Sequence, residues 1–153
     1  MMKRALLLAA ALYCFAVQVQ AQTPAQSHDL AKAVLKKDLP AAEALLTAGT
    51  NPNTVIEVVP GFATTYLITA VTNYSLDLAR LLLKHKAQVN QPDAFKGTAL
   101  MTAVSKGNSA MVELLLASGA DARAKDDDGK DALALAKESG NAAIVALPEA
   151  KLK

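Results

Sequence analysis

The fold is decided by residues 97–123, which read GTALMTAVSKGNSAMVELLLASGADAR. Residues three and four positions apart share one face of a helix, and the apolar residues with that spacing are Leu100, Ala103 and Val104. Gly107 interrupts this first helix, because glycine adopts left-handed backbone angles at little cost. A second apolar stripe follows and ends before Gly119, which suits the position just past a helix C-terminus. The stretch therefore predicts two short helices joined by a tight turn.

The same pattern recurs at a period of 33 residues. Tyr74 lies 33 residues before Gly107, and Gly140 lies 33 residues after it. Lys37 occupies the same place after an insertion of four residues, since it lies 37 residues before Tyr74. A single helix pair cannot bury both of its faces, whereas about three or more stacked pairs can. The four copies therefore predict an all-α solenoid. They cover residues 28–54, 55–90, 91–123 and 124–147, between a flexible lead over 22–27 and a tail over 148–153.

This unit resembles the ankyrin repeat, a β-turn followed by two antiparallel helices that begin with Thr-Pro-Leu-His. The tetrapeptides at that place are Thr98–Met101, Thr65–Ile68 and Asp131–Ala134. They lack the Pro and the His but keep Thr or Asp as a helix cap and Leu as a core residue. Leucine runs at 81–83 and 114–116 match the second helix, and 119–121 matches the Gly-Ala-Asp close. The resemblance implies an ankyrin solenoid of about four repeats joined by β-turn fingers over roughly 28–147.

The first 21 residues have the form of a secretory signal peptide. Lys3 and Arg4 precede an apolar run from Ala5 to Val17, and a short polar end finishes at Ala21. The run has 13 residues, whereas about 20 are needed to span a bilayer as a helix, so a membrane anchor is the weaker interpretation. We expect cleavage near Ala21, no membrane insertion afterwards, and a periplasmic protein, with secretion as the alternative.

Composition narrows the function classes. The chain has 153 residues, which suits one domain, and 16 basic against 14 acidic side chains give a net charge of +2. Both excess charges lie in the predicted signal peptide, so the mature chain is neutral and lacks the basic surface that nucleic acids or anionic membranes require. The one cysteine, Cys14, lies there too, which leaves the mature chain without a thiol.

The two histidines give no catalytic pattern. His28 falls at a predicted helix start and His85 near the end of a second helix. A general base needs an orienting partner, and no nucleophile or metal-ligand spacing connects the two. We therefore expect no catalytic residues and no metal or other cofactor. A small hydrolase or metal-dependent enzyme is the alternative of another class.

The acidic run over residues 126–131 resembles a calcium loop only superficially. Such a loop needs a bidentate Glu at its twelfth position, and counting from Asp126 places Lys137 there. We interpret the run as a turn shaped by Asp126 and Gly129, with Asp131 as the cap of the next helix.

The resemblance implies that partners bind at the turn tips and the exposed side of the first helices. By register, the candidate partner-binding residues are Phe62, Thr64, Thr72, Asn73, Phe95, Ser105, Lys106, Asp127, Asp128 and Lys130. Phe62 and Phe95 are two of the four aromatic residues after residue 21, and exposed loop aromatics are common interface hot spots. The alternative is that each Phe folds over its own turn and covers helix ends.

The inserted segment is the most β-prone part of the mature chain. Residues 55–62 read VIEVVPGF, and the insertion of four residues falls here. An apolar finger needs burial by something, which favours a partner contact. The alternative is an extended hairpin packed on the first repeat.

These observations together predict an exported monomer that binds another protein, of unknown identity, and has no enzyme activity. One role is a periplasmic accessory protein that steadies or assembles its partner, for example in envelope stress. The other is an immunity protein that neutralises a toxin directed to the periplasm. Self-association through the finger is a third possibility.

Overall fold

The computed structural model describes residues 24–140 and 144–145. Within them lie seven helices, α1 (Pro24–Lys36), α2 (Leu39–Thr47), α3 (Tyr66–Thr72), α4 (Leu76–Lys84), α5 (Ala99–Ser105), α6 (Ser109–Ala117) and α7 (Ala132–Ser139). Two strands, β1 (Val55–Val59) and β2 (Phe62–Thr65), form one sheet. The predicted signal peptide over 1–21 and the predicted tail over 148–153 lie outside the described residues.

The helices stack as antiparallel pairs in two layers. α1 packs on α2, α3 on α4, and α5 on α6. The first helices α1, α3, α5 and α7 contact one another in order, and the second helices α2, α4 and α6 do the same. This arrangement confirms the predicted ankyrin-type solenoid, with the two-stranded sheet as an addition to the all-α class. None of the helices within the described ranges is long and apolar enough to cross a membrane.

The repeat period is visible in the backbone between the paired helices. Lys37, Tyr74, Gly107 and Gly140 have φ angles of 57°, 56°, 67° and 67°. These are the four positions from which the period and the insertion of four residues were inferred. In the first two repeats, a residue with a side chain adopts the left-handed conformation that glycine adopts at lower cost.

Side-chain caps fix where the helices begin. Thr65, Thr98 and Asp131 each accept a hydrogen bond from the backbone N–H three residues later, at 3.1, 3.4 and 2.8 Å. Asp38 and Asn108 do the same for α2 and α6, both at 3.1 Å. Each cap satisfies a backbone donor that the helix itself leaves unpaired. The predicted caps at Thr98 and Asp131 are confirmed.

The first helix is tied to the second repeat. Tyr66, at the start of α3, has no exposed surface, and its hydroxyl donates a 2.7 Å hydrogen bond to the carbonyl of Ser27. α1 begins at Pro24, so residues 24–27, expected to be a flexible lead, are helical. The bond gives the N-terminal turn of α1 a partner in the neighbouring repeat.

The core runs between the two layers along the whole stack. Leu67 and Leu100 on the first helices and Leu82 and Leu115 on the second are at most 2% exposed. Burying one such side chain fully contributes about 1.5–3 kcal/mol. Ala103 is completely buried in α5, and its small size lets the neighbouring first helices approach closely.

Two asparagines, one in each of two successive loops, bind their own loop to the corresponding loop of the next repeat. Asn53 donates from Nδ2 to the carbonyl of Lys86 (3.2 Å) and accepts the N–H of Gln88 on Oδ1 (2.7 Å). Asn90 makes the equivalent pair of bonds to the closing loop of the third repeat, at 3.2 and 2.8 Å. We call these two residues the asparagine clamps. They connect neighbouring repeats through backbone groups that would otherwise face solvent.

The inserted finger is a β-hairpin. β1 and β2 pair antiparallel, with Ile56 opposite Thr64 and Val59 opposite Phe62, and the register is irregular between Glu57 and Val59. Ile56 packs against the edge of the core, which corresponds to the interpretation of a packed hairpin. Much of the hairpin nevertheless stays exposed, and it forms one wall of the site described next.

Candidate functional site

A concave groove of about 490 Å³ lies between the hairpin and the first helices. The hairpin contributes Val58, Val59 and Phe62, while α1 contributes Leu35 and α3 contributes Ile68. These five residues give the groove an apolar lining. Among them lie the carboxylate of Asp93 and the hydroxyl and amide groups of Thr64, Thr69, Thr72, Asn73 and Thr102. A concave, mainly apolar surface with a few polar groups is the usual form of a binding site.

Exposed apolar side chains gather around this groove. Leu35, Val58 and Val59 line it and are 47%, 47% and 55% exposed. Val55, at the start of the same hairpin, and Phe95, on the next finger, are 52% and 55% exposed. Single exposed hydrophobic residues are common on any protein. A group of them around one concavity is a feature of interaction surfaces.

Phe62 and Phe95 pack on each other rather than on their own turns. Their ring centroids are 5.2 Å apart with an interplanar angle of 49°. The fingers that carry them are joined by a 2.9 Å hydrogen bond from the N–H of Ala94 to the carbonyl of Ala63. The rings therefore contact each other across neighbouring fingers, an arrangement that neither prediction for these residues described. The pair forms an aromatic ridge at the rim of the groove, with Phe95 as its exposed member.

Three more predicted residues belong to the groove, with one correction. Thr72, which is exposed, and Asn73 line the groove at the end of α3. Thr64 also lines it but is only 4% exposed, so its placement on an exposed turn tip is wrong. It lies near the end of β2, where Thr64 and Thr65 are both buried.

Ser105 and Lys106 lie at the end of α5, outside the groove lining. Both are exposed, and the Lys106 Nζ lies 5.4 Å from the ring centroid of Tyr74, within cation–π distance. Tyr74 is 58% exposed and occupies the left-handed turn between α3 and α4. It was not among the predicted site residues. The sequence did contain a signal for it, because Tyr74 occupies a position where the third and fourth repeats have Gly.

The fourth finger is held by polar contacts. Asp127 forms a 2.9 Å ion pair with Lys96 of the preceding finger, and its N–H donates to the carbonyl of Phe95 at 3.1 Å. Lys130 pairs with Glu138 at 2.9 Å. Hydrogen bonding to the partner carboxylates raises the pKa of both Lys96 and Lys130. The fingers beyond the groove therefore present charged and largely exposed side chains, including Lys96 and Asp127.

The acidic run in this finger is a turn. Asp126 accepts the backbone N–H groups of Asp128 and Lys130 on one carboxylate oxygen, at 3.0 and 2.9 Å, and Gly129 has a φ of 74°. Asp93 holds the preceding finger in the same way, from Phe95 and Gly97 at 2.9 and 2.8 Å. The interpretation as a turn is confirmed, because these oxygens are committed to the backbone.

The ionisable groups show no assembled chemical site in the described part of the chain. No group of three or more His, Cys, Asp and Glu residues there is placed to hold a metal ion. His28 lies in α1 and His85 follows α4. The two histidines therefore lie in different repeats.

Leu35, Val58 and Val59 were missed as individual site residues. In α1 the inward stripe is formed by Leu30, Ala33 and Val34, all 5% exposed or less. Leu35 falls beside this stripe. An apolar residue that is out of phase with the buried face of its helix was therefore the sequence signal that could have identified Leu35 as a site residue. The valines lie in the finger predicted to make a partner contact, but their place in the groove depends on how the hairpin folds over α1.

A family model for ankyrin repeats in three copies matches residues 30–126. This range is well over half of the chain, and the protein belongs to the ankyrin-repeat proteins. The family is typically non-catalytic and indicates a protein–protein interaction module. No curated protein gave a significant match.

Proposed function

We propose that this protein is an exported adaptor that binds one periplasmic partner protein in the groove between the hairpin and the first helices. One observation carries the proposal: half-exposed apolar side chains gather around a single concave surface, led by Leu35, Val58, Val59 and Phe95. A partner that fills the groove would remove these side chains from water, each with a gain of about 1 kcal/mol.

The composition of the surface suits a specific interface. Such interfaces have an apolar or aromatic centre and a polar, hydrated rim. The ridge of Phe62 and Phe95 supplies the centre, and Thr72 and Asn73 supply polar groups beside it. Ser105, Lys106, Asp127, Asp128 and Lys130 extend the polar rim along the first-helix face and the fingers.

The export step rests on the N-terminal sequence. Lys3 and Arg4, the apolar run that follows and the small residue Ala21 support cleavage by a signal peptidase. The test is the intact mass of the protein recovered from a periplasmic fraction, which should correspond to a chain that begins at Gln22. Recovery of the uncleaved chain from the cytoplasm alone would contradict export.

The binding step is tested by crosslinking and pull-down from periplasmic extract. Phe95→Ala should weaken capture of the main partner about ten-fold or more, as expected for a hot-spot residue. Glu113→Ala is the control, because Glu113 is exposed on α6, in the layer of second helices, and does not line the groove. Equal loss in both variants, or loss in neither, would place the binding surface elsewhere.

The biological role follows from the identity of the captured protein. An envelope protein would support an accessory role, for which we expect a stress-sensitive deletion strain. A toxin would support an immunity role, with growth protection abolished by Phe95→Ala. In both cases we expect the free protein to be a monomer by light scattering.

A further inference from the structure

Backbone hydrogen bonds join the fingers into one row with a free end. Ala94 donates to Ala63 at 2.9 Å, and Asp127 donates to Phe95 at 3.1 Å. β2 is therefore bonded on one side to β1 and on the other to the finger of the third repeat. Among the residues that the structure describes, β1 has β2 as its one strand neighbour, so its other edge presents unpaired N–H and C=O groups.

This edge lacks the lysines that usually protect an exposed strand, although its register is irregular and Pro60 follows it. Exposed edges are generally blocked by Lys, Pro or a bulge, because they are templates for another strand. β1 contains one charged residue, Glu57, among the half-exposed Val55, Val58 and Val59. The register is irregular between Glu57 and Val59, so the regular part of this edge is short and can pair with only a short added strand.

A second groove follows the free edge. It has a volume of about 300 Å³, lies between α1 and β1, and has Leu35, Ile56 and Val58 in its lining. Leu35 and Val58 also line the first groove, so the two grooves adjoin at these residues, and together we call them the channel. A strand added to β1 would place alternate side chains in this channel, the arrangement by which strand addition obtains both affinity and specificity.

The charged residues along the second groove indicate what charge a segment bound there should carry. His28, Lys32 and Lys36 are one helical turn apart on α1, and all three line the groove as exposed side chains. Glu57 on β1 is the acidic residue in the lining of this second groove, so the two lysines outnumber it there. Asp93 lines the first groove, but its carboxylate accepts two backbone N–H groups of its own finger. We propose that the partner recognised by this protein contributes an extended segment with acidic and apolar residues, which adds as a strand to the free edge of β1 beside Lys32 and Lys36.

The channel does not suit a second copy of this chain. An antiparallel pair of β1 strands centred on the sequence VIEVV would set Glu57 directly opposite Glu57, and like charges in that position are destabilising. It would also supply no acidic group for Lys32 and Lys36 beyond these glutamates. The inference rests on the proposed function, since it names the part of the partner that enters the site.

The first test uses a displayed library of random 12-residue peptides, selected on the purified protein. The enriched peptides should alternate apolar residues with Asp or Glu. The double variant Lys32→Glu/Lys36→Glu should bind the best peptide about ten-fold more weakly. Arg80→Glu/Lys84→Glu, which reverses two exposed basic residues one turn apart on α4, is the matched control and should bind it within about two-fold. Enriched peptides without acids, or equal binding by both variants, would overturn the proposed selection.

The second test asks whether the best peptide adds as a strand. Bound peptide should slow amide hydrogen exchange over residues 55–59. N-methylation should abolish binding when it blocks the alternate peptide N–H groups that face β1, and should be tolerated at the residues between them. Unchanged exchange and tolerance of N-methylation at every peptide residue would mean docking by side chains alone, which would overturn strand addition while leaving the groove as a binding surface.

Failure to enrich any peptide would also overturn strand addition. The effect of Phe95→Ala on partner capture tests the proposed function separately. A dimer that tightens with concentration and dissociates on Val58→Asp would make a second copy the occupant and overturn the proposal.

Discussion

The ring of Phe62 in the second repeat packs against the ring of Phe95 in the third, at a centroid distance of 5.2 Å. Phe62 is half-buried and lines the groove, whereas Phe95 is 55% exposed. The same contact therefore joins two fingers and leaves an aromatic surface available to a partner. This relationship connects the stability of the hairpin with the shape of the binding surface.

A double-mutant cycle should detect this contact. Phe95→Ala is expected to cost about 1 kcal/mol of unfolding free energy, because much of the ring is already in water, and Phe62→Ala somewhat more. The coupling between the two substitutions should be about 0.5–1.5 kcal/mol, the range for an aromatic pair. Urea unfolding of the four proteins measures it. Strictly additive effects would show that the ring contact contributes nothing to stability.

Replacing Lys37 by Gly should stabilise the protein. Lys37 has a φ of 57°, in the left-handed region where a Cβ atom is unfavourable, so Lys37→Gly is expected to gain roughly 0.5–1 kcal/mol. Lys36→Gly is the control, because Lys36 is the last residue of α1, and there glycine should cost up to about 1 kcal/mol. Thermal unfolding would reveal the opposite signs. Destabilisation by both variants would mean that the larger conformational entropy that glycine loses on folding outweighs the relieved backbone strain at position 37.

Tyr66 should make the protein sensitive to alkali. Burial raises the pKa of Tyr66 from 10.0 to about 12. The folded protein therefore keeps the phenolic proton between about pH 10 and 12, while the unfolded chain loses it. The stabilising contribution is complete below pH 10 and falls as the pH rises towards 12.

Tyr66→Phe isolates this effect. At pH 7 the variant should be less stable by about 1 kcal/mol, because it loses the hydrogen bond to Ser27. At pH 11 the difference should shrink or reverse, since Phe has no proton to lose. Tyr74→Phe, at an exposed site, should follow the parent protein at both pH values. A constant difference for Tyr66→Phe would contradict the raised pKa.

The two finger aspartates should matter for stability and not for calcium. Asp93 and Asp126 each accept two backbone N–H groups, so Asp93→Ala and Asp126→Ala should each cost about 2 kcal/mol. Asp128→Ala, at an exposed neighbouring position, should stay within about 0.5 kcal/mol. Millimolar Ca²⁺ should leave the melting temperature unchanged. A calcium-dependent rise that disappears in Asp126→Ala would contradict the interpretation as a turn.

The fold could be predicted because its determinants are local and repeated. The capping residues Thr98 and Asp131 and the turn glycines Gly107 and Gly140 act on backbone groups a few positions away. Each copy of the pattern therefore supported the same structure independently. Lys37 and Tyr74 were placed correctly in register even though neither is glycine.

The site was predicted less completely because it depends on how separate repeats meet. Thr72 and Asn73, predicted as partner-binding residues by register, line the groove, but Thr64 is buried in the hairpin. The contact between Phe62 and Phe95 joins residues 33 apart in fingers whose spacing is set by helix packing. Leu35 enters the groove only because the hairpin lies over α1, and no local pattern encodes that geometry.

The asparagine clamps have a consequence for how the stack unfolds. Asn53 and Asn90 each hold backbone groups that belong to the following repeat, so a loop reaches its final structure only when the next repeat is folded. Neighbouring repeats are thereby coupled like adjacent units of a one-dimensional chain, in which the state of one unit biases the next. The stack should melt in a single cooperative transition, and loss of one clamp should broaden that transition as well as lower its midpoint.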